Sequence, residues 1–133
     1  MVDQVVRMLG VPICKLGTTE VMNKIVERIE HRTTPASFIV QITAYCLVTA
    51  QEKPEYCSAL QAADLCLPDG KAITWLLRVK GVLQPPHIRG TDLMLSMCQM
   101  AESRKWRCFL YGGKDGVPEK LKQNLLILSL IHI

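Results

Sequence analysis

Two short stretches of the chain carry residues that could do chemistry, and each lies where an apolar run gives way to a turn. In the first, Asp69 directly follows Leu65-Cys66-Leu67-Pro68 and precedes Gly70. A carboxylate held on a tight turn at a strand end can be placed to take a proton from a hydroxyl. The plainer alternative is that Asp69 only makes the turn, because Asp-Gly is a common turn pair. In the second, Gly112-Gly113-Lys114-Asp115-Gly116 follows the run Trp106 to Tyr111 and precedes Val117-Pro118. Amides of a glycine-rich turn beside the positive end of a helix form a seat for phosphate or diphosphate. Otherwise the turn is a plain connection. It lacks the GxGxxG order of a dinucleotide fingerprint and the Gly-Lys-Ser/Thr ending of a P-loop, which disfavours nicotinamide and ATPase chemistry.

No metal constellation is visible. Cys14, Cys46, Cys57, Cys66, Cys98 and Cys108 are scattered among apolar neighbours with no CxxC pair, and they read as reduced core thiols, neither a disulfide framework nor a zinc site. His31, His87 and His132 are equally dispersed.

The elements that must position Asp69 and the glycine-rich turn alternate between strand and helix. After a short apolar segment (Met8 to Cys14), Thr18 or Thr19 can cap a helix carrying Val21, Met22, Ile25, Val26 and Ile29 at helical spacing. Ser37 to Thr43 reads as a buried strand, followed by a helical stretch broken near Pro54, with Tyr56, Leu60 and Ala63 on its apolar side. Leu65 to Pro68 is a second strand. Ala72 to Val79 is helical, with Trp75, Leu76 and Val79 on one side, and Trp75 to Gly81 reads as a solvated helix end sooner than a contact with anionic lipid. A helix from Thr91-Asp92 carries Leu93, Met97 and Met100 on one face, Trp106 to Tyr111 is a third strand, and Pro118 suits the first turn of the last helix. This alternation predicts an α/β, Rossmann-like, mainly parallel sheet with helices on both faces. Such sheets bind ligands at the carboxyl ends of their strands, where Asp69 and the glycine-rich turn fall.

Composition narrows the class. The chain has 133 residues, 49% of them apolar, and a net charge of +4 from 16 basic and 12 acidic side chains. That is a compact domain or part of one, without the clustered basic stripe of a dedicated nucleic-acid binder. No apolar run approaches the ~18 residues of a membrane span, and the first residues lack the layout of a signal peptide, so a cytoplasmic location is expected. At the other end, Leu128 to Ile133 reads LSLIHI. Those six residues resemble the translation of a transposon-type sequencing adaptor, which predicts residues 1–127 as the N-terminal part of one truncated domain and 128–133 as a non-native tail.

Taken in order, ALQAADLCLPDGKAITWLL, HIRGTDLML and RCFLYGGKDGVPEKL, with the opening GVPICKLGTTEVMNKI, resemble the bacterial glycosyltransferase family named after the enterobacterial-antigen, teichoic-acid and capsule enzymes (WecG/TagA/CpsF). The resemblance runs from about Leu9 to Leu126. It implies an inverting enzyme that moves N-acetylmannosamine or a related hexose from a UDP-sugar to a polyprenyl-diphosphate-linked saccharide in cell-surface polysaccharide or teichoic acid synthesis. It also implies no metal or cofactor beyond the donor, and peripheral contact with the inner face of the cell membrane. Nucleic acid is not expected as a partner, and a homo-oligomer is left open. The rival is a non-catalytic nucleotide-sugar-binding or scaffold protein of the same fold.

On the family pattern Asp69 is the catalytic base, and Gly112, Gly113 and Lys114 lie in the nucleotide-sugar region. Asp92 matches the family aspartate of "GxDL", for which helix capping serves as well as ligand contact. Two substrate positions depart from the pattern. The family's Thr-x-Asn falls on Gln41-Ile42-Thr43, which puts Thr43 where Asn is expected, and the family arginine falls on His87, with Arg89 two residues later. Both keep hydrogen-bonding ability, but His87 is cationic only when protonated and cannot grip a diphosphate as a fixed bidentate cation.

Overall fold

The computed structural model describes residues 4–31 and 36–128. All of the LSLIHI tail except Leu128 therefore lies outside the described residues, as does His132. The chain is mixed α/β and divides into two units, Met1–Gly90 and Thr91–Ile133.

The first unit begins with an antiparallel hairpin of β1 (Val5–Met8) and β2 (Val11–Cys14), with Met8 opposite Val11. The connection is Leu9-Gly10, at φ 49° and 85°, the positive pair whose twist matches that of the flanking strands. The side-chain amides of Gln51 and Gln61 hold this turn, donating to the Leu9 and Gly10 carbonyls at 2.9 and 3.1 Å. Helix α1 (Thr18–His31) buries Val21, Met22 and Ile25, as their spacing predicts. Its cap differs from expectation. Thr18 and Thr19 lie within the helix, and the Gly17 amide donates to the Glu20 carboxylate at 3.0 Å, the reach-back half of a capping box.

Strands β3 (Ile39–Ile42) and β4 (Leu65–Pro68) pair in parallel, Ile39 opposite Leu65 and Ile42 opposite Pro68. β3 is shorter than the predicted Ser37 to Thr43 because Thr43 leaves it to cap the next helix. Between the two strands lie α2 (Ala44–Glu52) and α3 (Pro54–Gln61), parted at Lys53, where Pro54 opens the second helix. β2 runs beside β4, and Val11, Ile13, Ile42, Leu47, Leu60 and Cys66 meet in the core. There burial, with the neighbouring Cys14 thiol, pushes the Cys66 thiol up to about 11.

Helix α4 (Lys71–Val79) closes this core, and the packing divides the side chains that the spacing sets on one side. Ile73 and Leu77 are fully buried, whereas Trp75 and Val79 are 62% and 64% exposed. The helix is short and offers the core one narrow stripe. Ile73 and Leu77, one turn apart, occupy it with Leu76 packed beside them.

The second unit holds nearly all of α5 (Gly90–Arg104) and α6 (Val117–Ile127). α5 buries Leu93, Cys98 and Ala101, while Met97 and Met100 are half-buried. Pro118 stands in the first turn of α6, as predicted. Residues 106–111 are not the third strand that the sequence suggests, and Phe109 and Tyr111 are 88% and 94% exposed. A strand requires a neighbour to satisfy its ladder, and among the described residues no strand pairs with this run.

The six cysteines are all free. The core reading holds for Cys14, Cys66 and Cys98. Cys46 and Cys57 are half-buried, and Cys108 is exposed. Among the described residues no helix is long and apolar enough to cross a membrane.

Candidate active site

The carboxyl ends of β3 and β4 bring three of the predicted residues to one edge of the first unit. The Asp69 amide donates to the Ile42 carbonyl at 2.9 Å, carrying the parallel ladder one step past Pro68 and fixing the backbone from which the carboxylate projects. Gly70 follows at φ 88° as the N-cap of α4, so the carboxylate sits just ahead of a helix N-terminus, where the dipole favours negative charge. The loop that returns after α4 is pinned to the same strand end by the Ile88 amide, which donates to the Pro68 carbonyl at 3.0 Å. This places His87 Nε2 3.6 Å from Asp69 Oδ1, with the side chains 38% and 28% exposed. An imidazole that turns Nε2 to a carboxylate keeps Nδ1 available for another partner. Arg89, two residues on, is exposed.

Thr43 lies at the end of β3, but its hydroxyl has a structural task. It accepts from the Cys46 amide at 3.4 Å as the N-cap of α2 and lies 3.3 Å from Cys46 Sγ. Burial raises the Cys46 thiol. Hydrogen bonds from Thr43 and from Tyr56 outweigh that and hold it below its ordinary value.

Gln41 is a residue that the sequence reading did not single out. Its Oε1 is buried without a hydrogen-bond partner, a state that buried polar atoms rarely keep. The Gln41 side chain lies beside Gly90, where a Cβ would meet its Cγ at 3.4 Å, an ordinary van der Waals distance. The available signal was that Gln41 occupies the family's threonine position.

Gly112, Gly113 and Lys114 belong to the second unit. Gly112, Gly113 and Gly116 all have positive φ, at 102°, 85° and 83°. A Cβ on Gly113 would also lie 3.3 Å from the Val117 side chain, so this turn requires glycine there. The turn is tied to α6 by the Val117 amide, which donates to the Lys114 carbonyl at 3.0 Å. Separately, a groove of about 430 Å³ lies within this unit, lined among others by Trp106, Phe109, Leu110, Pro118 and Lys122. Nothing in the sequence pattern pointed to it.

Residues 6–128 match the model of the glycosyl transferase WecG/TagA/CpsF family, which is nearly the whole chain. The chain belongs to that family. A curated relative in Bacillus spizizenii, an N-acetylglucosaminyldiphosphoundecaprenol N-acetyl-beta-D-mannosaminyltransferase, is 33% identical over 81 residues. That match takes in 61% of this chain and 32% of the relative, so it spans about a third of the relative's length. Within the WecG/TagA/CpsF frame Asp69 directly follows a strand of the parallel pair, whereas the glycine-rich turn follows a segment with no strand partner among the described residues.

Proposed function

We propose that the chain contributes to an inverting glycosyltransferase that passes N-acetylmannosamine, or a related hexose, from a UDP-sugar to a lipid-diphosphate-linked saccharide in bacterial cell-surface polymer synthesis. The observation that carries this reading is the Asp69–His87 pair at the carboxyl end of a parallel strand pair, in a chain of this family. Asp69 takes the proton of the acceptor hydroxyl as its oxygen forms a bond to the anomeric carbon. The bond from that carbon to UDP breaks on the opposite face, and the electron pair leaves with the diphosphate. Amides and Lys114 of the glycine-rich turn are assigned to the developing charge on UDP, which is the place for preorganised donors. Gln41, with its unpartnered acceptor, is assigned to a sugar hydroxyl. His87 orients the Asp69 carboxylate. The reading needs no cofactor beyond the sugar donor.

One observation favours a second reading, a nucleotide-sugar-binding protein without turnover. The Thr43 hydroxyl is engaged in capping α2, so the substrate contact that the family pattern places there is weakened. UDP binding without product formation would select this rival.

Asp69→Asn keeps the size and most of the hydrogen bonding of the side chain while removing its basicity. Turnover should fall by ~10²–10⁴, the usual share of general-base catalysis, with donor affinity unchanged. Steady-state turnover and calorimetric donor titration on the full chain check this. Near-normal turnover in Asp69→Asn, with loss confined to His87→Gln, would transfer the base role to the imidazole.

A further inference from the structure

The outward side of α4 has no task in the chemistry above, and it combines two features that solvent-facing helices usually keep apart. Trp75 and Val79, one turn apart, are 62% and 64% exposed, and Leu83, just past the helix, is 94% exposed. Their exposure follows from the packing. Ile73 and Leu77 take the core stripe, and after Gly81 the Val82 side chain turns in against the core while Leu83 turns out. The same segment carries Lys71, Arg78 and Lys80, all exposed. From Gly70 through Thr91 the sequence contains no Asp or Glu. A segment that exposes an indole and aliphatic side chains and carries cations but no acids has the composition of a surface that enters a lipid interface.

We propose that this face of α4, with Leu83, seats the protein on an anionic lipid surface. Charge complementarity selects that occupant. The segment supplies only positive charge, so it is matched to acidic headgroups, whereas a second copy of the same segment would bring like charges together. Trp75 would lie at the headgroup level, where amphipathic rings concentrate. The placement also deepens the proposed function and in this one respect rests on it. α4 starts two residues after Asp69 and spans nine residues, or ~14 Å at ~1.5 Å per residue. A helix docked by its outer face therefore keeps the proposed base within one helix length, ~14 Å, of the docked side chains.

The test is co-sedimentation of the full chain with vesicles of phosphatidylglycerol and phosphatidylcholine, against phosphatidylcholine alone. Because the chain has two tryptophans, Trp75 emission is followed in a Trp106→Phe background. Wild-type protein should pellet with the anionic vesicles, and Trp75 emission should shift to the blue. The Trp75→Ser/Val79→Ser variant should lose at least tenfold in partitioning with its circular dichroism unchanged. A Lys71→Gln/Arg78→Gln/Lys80→Gln variant should lose the preference for phosphatidylglycerol. No binding to anionic vesicles, binding indifferent to both variants, or a dimer dissolved by Trp75→Ser/Val79→Ser without vesicle binding would each overturn the proposal. Because no substrate is present, its failure is separate from that of the Asp69 assignment, which is read by turnover.

Discussion

Leu65 to Asp69 and Trp106 to Gly116 look alike in sequence, each a short apolar run that ends in a glycine turn before a helix, yet they differ physically. The first run has a partner. β4 pairs with β3, Cys66 and Leu67 are buried, and the Asp69 amide continues the ladder, so the carboxylate is held by a rigid backbone. The second run has no partner among the described residues, and Phe109 and Tyr111 stand in solvent. A strand signal in sequence records the capacity to pair, and the neighbour decides whether a strand forms. A catalytic side chain on the first run inherits the order of a ladder. A phosphate-binding turn after the second depends on its own glycine geometry and on α6.

Truncating one apolar side chain in each run gives the sharpest test of that contrast. Leu67 is fully buried, and Leu67→Ala should cost ~2–5 kcal/mol, the range for large-to-small core changes. Phe109→Ala, at a largely exposed position, should stay within ~0.5 kcal/mol. Urea unfolding of both variants reads the two numbers. A Phe109→Ala cost near that of Leu67→Ala would show that the second run is packed in solution and would remove the contrast.

The sequence made legible whatever rests on local pattern. Leu65 to Pro68 is bounded by the Pro-Asp-Gly that punctuates it, and α1 shows its Val21, Met22 and Ile25 stripe because Val26 and Ile29 continue the same helical spacing. The break at Pro54 and the place of Pro118 follow from proline's missing donor. What stayed hidden depends on distant partners. Which apolar side chains of α4 face the core is not legible, because Trp75 and Val79 are as apolar as Ile73 and Leu77, and only the shape of the core chooses between them. The nearness of His87 to Asp69 arises from the Ile88-to-Pro68 hydrogen bond between loop and strand, which no spacing rule contains. The unpartnered Gln41 amide is invisible for the same reason.

A smaller effect tests the second region's chemistry. If the glycine-rich turn receives the UDP diphosphate, Lys114→Ala should weaken UDP binding about tenfold, near the value of one hydrogen bond to a charged group. Asp69→Asn should leave UDP affinity unaltered, because the role proposed for Asp69 is toward the acceptor. Calorimetric titration of both variants compares the regions directly. Unchanged affinity in Lys114→Ala would reduce the turn to a connection.

The smallest expected effect lies in a backbone device that both units use with different residues. α4 ends with Gly81 at φ 88°, the Gly81 amide donating to the Arg78 carbonyl at 2.9 Å and the Val82 amide to the Leu77 carbonyl at 3.0 Å. α5 repeats the same pair of bonds, from Lys105 to Glu102 at 3.2 Å and from Trp106 to Ala101 at 2.8 Å, but places Lys105 at φ 57°. Glycine takes this left-handed position without strain, whereas a residue with a Cβ loses ~1–2 kcal/mol there. Part of the relief is returned because glycine gives the unfolded chain more freedom, by ~0.4–1 kcal/mol. Lys105→Gly should therefore stabilise the protein by roughly 0.5–1 kcal/mol, whereas Gly81→Ala should destabilise it by a similar amount, both read from urea midpoints at constant slope. A destabilised Lys105→Gly would mean that the lysine side chain supplies α5 with more than the left-handed backbone costs, and the two caps would no longer be equivalent.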